Sequence, residues 1–340
     1  MTRITRHRGR TLIALLAVTL LAAILAAAVL GGCSSSSDET SAASSPAAAG
    51  PITVTDDADK TVALDQPATK VVSLAPANTE IAFALGAGDK VVGDTTYCDY
   101  PEEAKAIAKI GDFSNPSVEK IVALEPDLVL AAGGIQEGLR AKFEKLGMQV
   151  FVVDPTTLDE LYADLGELGQ LMGVSSNATT VVTDMKTQVD AVQEKIGAAQ
   201  ASSQTPFTTP KVFLEIYGKP LMTAGTGTFI DDLITRAGGV NVGAGAGSGF
   251  PGYNAEKLIE EDPSVYVAVK GAQSDPGEIA ARPGYDQLTA VKDGAVYVID
   301  DNLVARPGPR LILGLQQLAQ MIHPELFGSL SASPQASSTP

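Results

Sequence analysis

Glu119-Lys-Ile-Val-Ala-Leu-Glu-Pro-Asp-Leu-Val-Leu-Ala131 is matched without a gap by Glu256-Lys-Leu-Ile-Glu-Glu-Asp-Pro-Ser-Val-Tyr-Val-Ala268. In both copies a Glu opens a short helical pattern, a Pro seven residues later ends it, and an apolar run follows at once. Proline cannot continue a helix, and a short Val/Leu-rich run after it reads as a strand, so each copy predicts helix, stop and strand. A weaker echo pairs Thr79–Gly93 with Thr228–Gly243. A repeat this widely spaced means two similar lobes.

Working outward, short β-branched runs alternate with helical patterns from residue 70 onward, the mark of βαβ units and a largely parallel sheet. Strands are expected at Lys70–Leu74, Asp127–Ala131 and Gln149–Val153, then at Lys211–Glu215, Ser264–Val269 and Ala295–Ile299. Pro76-Ala77-Asn78 opens a helix, with Asn78 as its N-cap and Gly86 as its stop. Between the two sets, Ala178, Val181, Met185, Val189, Val192, Ile196 and Ala199 recur at spacings of three and four, which predicts one long amphipathic helix. A coiled-coil arm has the same pattern, but flanking α/β units favour a strut packed on both lobes. The expected fold is α/β: two Rossmann-like lobes with mainly parallel sheets, residues 51–174 and 208–327, joined by one long rigid α-helix over 175–200. Residues 328–340 are expected to be a disordered tail.

The N-terminus reads as an address. Arg3, Arg6, Arg8 and Arg10 precede an almost wholly Ala, Leu, Val and Ile run from Leu12 to Leu30. A run of this length could also span a bilayer. Leu30-Gly31-Gly32-Cys33, however, resembles the bacterial lipobox, whose Cys is lipidated and becomes the new N-terminus. The Ser/Ala-rich stretch that follows, to Gly50, is too poor in large apolar groups to fold. Residues 1–32 are therefore expected to be a lipoprotein signal peptide, Cys33 the lipidation site and 33–50 a flexible tether. The protein is then extracytoplasmic and lipid-anchored to the outer face of the cell membrane. Loss of 1–32, which carries four Arg and no acid, takes the net charge from −16 to −20 and argues against nucleic acid as a partner. Cys98 is then the single free thiol and His323 the single His, which excludes an intrachain disulfide and a Cys/His zinc cluster.

Val71-Val-Ser-Leu-Ala-Pro-Ala-Asn-Thr-Glu-Ile-Ala-Phe-Ala-Leu-Gly86, Tyr97-Cys-Asp-Tyr-Pro101, Val118-Glu-Lys-Ile-Val-Ala-Leu-Glu-Pro-Asp-Leu-Val129 and Arg306-Pro-Gly-Pro-Arg310 resemble the helical-backbone class of periplasmic binding proteins. Within it the nearest likeness is to the cobalamin-binding proteins of vitamin B12 ABC importers, and it covers residues 52–327. The resemblance implies a monomer that carries a small molecule to an ABC permease dimer, with no cofactor of its own. It implies one docking Glu at the tip of each lobe, at Glu119 and Glu256. Their matching places in the repeat suit a two-fold partner, although each is also a favourable first-turn carboxylate. It implies ligand contacts at Tyr97, Phe113, Tyr217, Phe250 and Arg306, for a flat, largely apolar disc rimmed with amides. Family members place several Trp in the cleft. This chain has none: Phe113 and Phe250 stand at two such positions, and Ala132 precedes Gly133. A ferric siderophore or haem is the alternative ligand; Arg306 is the single Arg in a familiar pocket position, and Tyr97 could serve haem.

Other signals carry less. Gly225-Thr-Gly227 and Gly243-Ala-Gly-Ala-Gly-Ser-Gly249 fit no phosphate-binding pattern and suggest a mobile loop at the cleft rim. His323 suits a helix C-terminus, Cys98 a small buried position, and Glu102 and Glu103 a solvated helix start. Ser73 and Ser248 lack a nucleophile elbow and a His partner. An enzyme or sensor on the same frame would need an acid, base or nucleophile constellation, and the sequence shows none; the protein is expected not to be an enzyme.

Overall fold

The structure, a computed structural model, describes residues 50–203, 208–272 and 274–330. The signal peptide, Cys33, the tether up to its last residue and the tail beyond residue 330 lie outside the described residues.

The first lobe opens with a hairpin of β1 (Ile52–Thr55) and β2 (Thr61–Leu64), antiparallel with Ile52 opposite Leu64. Asp56 ties its turn to the lobe. One carboxylate oxygen accepts from the N–H groups of Ala58 and Lys60, and the other from Val152 N at 2.9 Å while pairing with Arg140. Behind it lies a parallel sheet of β3 (Val71–Ser73), β4 (Val91–Gly93), β5 (Leu128–Ala132) and β6 (Gln149–Val153), in the order β4-β3-β5-β6. The crossovers carry α1 (Pro76–Ala84), α2 (Val118–Leu124) and α3 (Arg140–Glu144). Next comes α4 (Leu158–Leu171), started by a capping box between Thr157 and Glu160.

The expected long helix is α5, Ser175–Ser202, roughly 42 Å at 1.5 Å per residue. It buries Ala178, Met185, Val189, Val192 and Ile196, while Val181 and Ala199 are half-buried. That face lies in one apolar core with Val71 and Leu130 of the first sheet and Val212 and Leu214 of the second. Each large side chain so buried contributes about 1.5–3 kcal/mol, which makes α5 a strut packed on both lobes.

The second lobe has β7 (Lys211–Gly218), β8 (Leu221–Thr223), α6 (Phe229–Arg236), β9 (Val240–Asn241), α7 (Ala255–Glu261), β10 (Val265–Val269), α8 (Pro276–Ala280), α9 (Thr289–Lys292) and β11 (Val296–Ile299). It closes with α10 (Leu311–Ile322) and α11 (Pro324–Phe327). Its sheet runs β11-β10-β7-β8 with β9 also on β7, parallel except for β8. Both lobes are thus α/β with mainly parallel sheets.

The repeat is realised in three dimensions: α2 leads into β5 as α7 leads into β10, and each helix ends on a left-handed residue, Glu125 (φ 51°) or Asp262 (φ 45°), just before its Pro. The proline bars its predecessor from the helical region, so the chain turns there. One local expectation fails. The N-cap of α1 is Ala75, not Asn78; Pro76 takes the first helical position, and Asn78 sits within the first turn, buried.

Candidate functional site

Between the lobes lies a cavity of about 440 Å³. Its first-lobe wall is built by the start of α1, Phe113, and the ends of β5 and β6 at Ala132, Gly133 and Asp154. Its second-lobe wall comes from Ile216 on β7, the start of α6, Phe250 and the segment Ala305–Pro307. In a parallel α/β sheet the carboxyl ends of the strands are where a crevice opens, because the loops there diverge.

Phe113 and Phe250 both line this cavity, one from each lobe. Phe113 is fixed through its backbone. The buried Gln136 donates from Nε2 to Phe113 O and Leu74 O, both at 2.7 Å, and accepts from Ala132 N at 2.8 Å. Gln136 therefore clamps three parts of one wall, a role no sequence pattern signalled. Phe250, 46% exposed, rides on the glycine-rich stretch. Rather than hanging free, that stretch is stitched to residues 225–226: Gly225 N donates to Gly249 O, Thr226 N to Gly247 O, and Gly249 N to Thr226 O, at 2.7–3.0 Å. A Cβ on Gly225 would fall 2.0 Å from Gly247 O, so this close pairing needs glycine.

Arg306 also lines the cavity, with its charge already compensated. Its Nη1 donates to Glu80 Oε1 at 2.9 Å and Asp99 Oδ1 at 2.7 Å. Glu80, buried on α1, also takes both ends of the Arg310 fork, from Nε at 2.7 Å and Nη2 at 2.6 Å. Partial burial works against ionisation of Asp99, yet the Arg306 hydrogen bond and charge hold its carboxyl below the ordinary value. Arg310 in turn lies over the Tyr100 ring at 4.1 Å. A second polar contact joins the lobes where Asp232 on α6 accepts from Leu158 N at 2.9 Å and Arg236 bridges Asp232 and Asp159.

Tyr97 and Tyr217 do not meet the other three. Tyr97 is 59% exposed in the loop after β4, outside the cavity wall. Tyr217 is half-buried on β7 beside Met222, while its neighbour Ile216 faces the cavity, as alternation along a strand requires. Glu119 and Glu256 are both exposed, each the second residue of its helix, α2 and α7, behind the caps Ser117 and Asn254.

Cys98 is buried under Thr79 and Thr95, whose hydroxyls lie 3.1 and 3.2 Å from Sγ, and burial pushes its thiol up. Beside it Asp94, its side chain wholly buried, pairs with Lys109 at 2.7 Å. Burial raises the Asp94 carboxyl to about 6 although Lys109 pulls the other way. Lys109 also donates to Cys98 O and Ala104 O, so the pair anchors the loop that carries Tyr97. His323 is buried at the end of α10, its Nε2 3.2 Å from Gly238 O. Glu102 and Glu103 are exposed on a 3₁₀ turn over Glu102–Ala106. Among the described residues no group of three His, Cys, Asp or Glu could hold a metal ion.

Residues 71–303 match the model of the periplasmic binding protein family. The chain is 34% identical over 282 residues to an uncharacterised ABC transporter substrate-binding lipoprotein, YvrC, of Bacillus subtilis, covering 82% of this chain and 87% of that one. It is 31% identical over 258 residues to the vitamin B12-binding protein of Yersinia pseudotuberculosis, covering 76% and 87%. Among solved structures, the periplasmic vitamin B12-binding protein BtuF of Vibrio cholerae matches with a TM-score of 0.65 at 26% identity, over 75% of this chain and 97% of that one. Periplasmic haem-binding proteins match at similar levels.

Proposed function

This chain belongs to the periplasmic binding protein family, and on that premise we propose that it is the extracytoplasmic solute-binding lipoprotein of an ABC importer with a corrinoid as its ligand. Cys33 carries the lipid that holds it to the outer face of the membrane. The ligand enters the interlobe cleft, and Glu119 and Glu256 dock the loaded protein on the permease dimer, one contact per lobe.

The observation that carries the ligand reading is the character of the cavity wall: Phe113 and Phe250 from opposite lobes, apolar neighbours, and an Arg306 whose charge two carboxylates already balance. A flat apolar disc is matched by aromatic faces. An anionic ferric siderophore would want uncompensated cations, and haem would want a Tyr or His axial ligand; among the described residues the wall offers neither. A cavity of about 440 Å³ suits the face of a disc better than a whole corrinoid, so the bulkier parts of the ligand would project from the mouth. The docking reading is supported by the equal placement and exposure of Glu119 and Glu256 in the two halves of the repeat.

The test is calorimetric titration of the full-length protein in detergent with cyanocobalamin, with haemin and ferrichrome in parallel. Saturable micromolar or tighter binding of cyanocobalamin, about −8 kcal/mol or better, is expected. Heat with haemin or ferrichrome alone would keep the transport role and replace the ligand.

A further inference from the structure

Gln136 lies in a short 3₁₀ turn just past the end of β5, entered through the left-handed Gly134 (φ 66°). Its side chain is buried, and every hydrogen-bonding group on it but one lone pair is in use. Two carbonyl acceptors and one N–H donor fit the amide in a single orientation. Each bond ends on a segment of the cavity wall: Leu74 leads into residues 75–77, Phe113 carries a half-buried ring, and Ala132 precedes Gly133. Gln136 does not itself line the cavity, so it acts through what it holds.

Phe113 sits in the middle of a turn whose ends close without it. Gly111 O accepts from Thr96 N at 2.9 Å, Ser117 N donates to Ile110 O at 2.7 Å, and Asn115 N donates to Asp112 Oδ1 at 2.6 Å. These bonds shape the turn, whereas Gln136 ties its middle to the sheet across 23 positions of sequence. We infer that Gln136 is a positioning residue for ligand binding: by gripping the Phe113 carbonyl at the ends of β3 and β5, it orders the Phe113 ring before the ligand arrives. This inference rests on the cleft being the ligand site. A ring on an untied turn would lose its freedom when the ligand seats, at a cost in affinity, and a ring ordered in advance avoids that cost. The grip is on the backbone, so the side chain at position 113 can be changed while the clamp stays.

The test uses the full-length protein in detergent and two substitutions. Gln136→Met is close in length and removes all three bonds; Gln136→Glu keeps the acceptor for Ala132 N and loses both donors. The chain has no Trp, so Phe113→Trp and Phe250→Trp each report one wall by fluorescence anisotropy decay, without any ligand and well below the melting temperature. Either substitution at Gln136 is expected to increase the nanosecond motion of the indole in Phe113→Trp and to leave that in Phe250→Trp unchanged. With cyanocobalamin, Gln136→Met should bind about tenfold more weakly, chiefly through faster release. In a Phe113→Leu background the same substitution should change affinity by less than about twofold, because the ring it positions is gone. A merely structural glutamine would lower the melting temperature and leave both readouts alone. Unchanged motion in Phe113→Trp with both substitutions, or an equal loss of affinity in the two backgrounds, overturns the inference. If wild type ignores cyanocobalamin, the corrinoid reading falls by itself. Gln136 is then judged by the anisotropy, which needs no ligand, and by the same affinity comparison with whichever of haemin and ferrichrome binds.

Discussion

Glu80→Gln is the substitution whose cost follows most directly from this geometry. Glu80 is 2% exposed in its side chain and accepts three hydrogen bonds at 2.6–2.9 Å from two guanidinium groups that are themselves about one-fifth exposed. Removing one partner of a buried pair costs roughly 3–5 kcal/mol, chiefly by leaving the other charge without compensation. Two features reduce that figure: Asp99 still holds Arg306, and water reaches both guanidinium groups in part. A loss of about 2–4 kcal/mol is therefore expected. At roughly 2–4 °C per kcal/mol for a chain of this size, the melting temperature should fall by about 4–16 °C. Urea unfolding followed by far-UV circular dichroism should show a lower midpoint with an unchanged slope, since the native fold and its buried surface are kept. A destabilisation below about 1 kcal/mol would refute the claim that this carboxylate holds the two arginines. The double variant Glu80→Gln with Asp99→Asn carries a further expectation: with Arg306 freed, haemin and other anionic ligands should bind tighter than to wild type.

The folded state raises the Asp94 carboxyl from an ordinary 3.8 to about 6, so it holds a proton that the unfolded chain has already released. Stability from this group is complete below about pH 3.8 and is lost as pH rises through about 6, and Asp94→Asn should gain on wild type by on the order of 1 kcal/mol between pH 5 and 7.5. Urea midpoints of both proteins at the two pH values measure this; a difference independent of pH would contradict it. Charge reversal at both Glu119 and Glu256 should leave ligand affinity unchanged and abolish uptake in proteoliposomes containing the cognate permease, and loss of ligand affinity in that double variant would count against docking.

Much of the fold was legible because it is encoded locally. Pro126 and Pro263 end two equivalent helices, β-branched runs place the six expected strands to within about one to three residues, and the three-four spacing from Ala178 to Ile196 selects the buried face of α5. The hairpin β1–β2 was not anticipated, since two strands of four residues carry too little alternation to stand out. Exposure of Glu119 and Glu256 and burial of Cys98 and His323 also agree with what their neighbours in sequence suggest.

The composition of the cleft belongs to the tertiary structure. Sequence alone determined that there are two lobes, a connecting helix and a set of aromatic residues in loops, because periodicity and proline or glycine punctuation act over a few residues. Only the folded chain decided that Phe113 and Phe250 share a cavity while Tyr97 and Tyr217 stand outside it, that Arg306 meets Glu80 from 226 positions away, and that Gln136 ties the ends of β3 and β5 to the loop of Phe113. It also moved Asn78 from a helix cap into the buried first turn of α1. Such pairings depend on where whole elements come to rest against one another, and long-range electrostatics and packing leave no periodic trace in the order of residues.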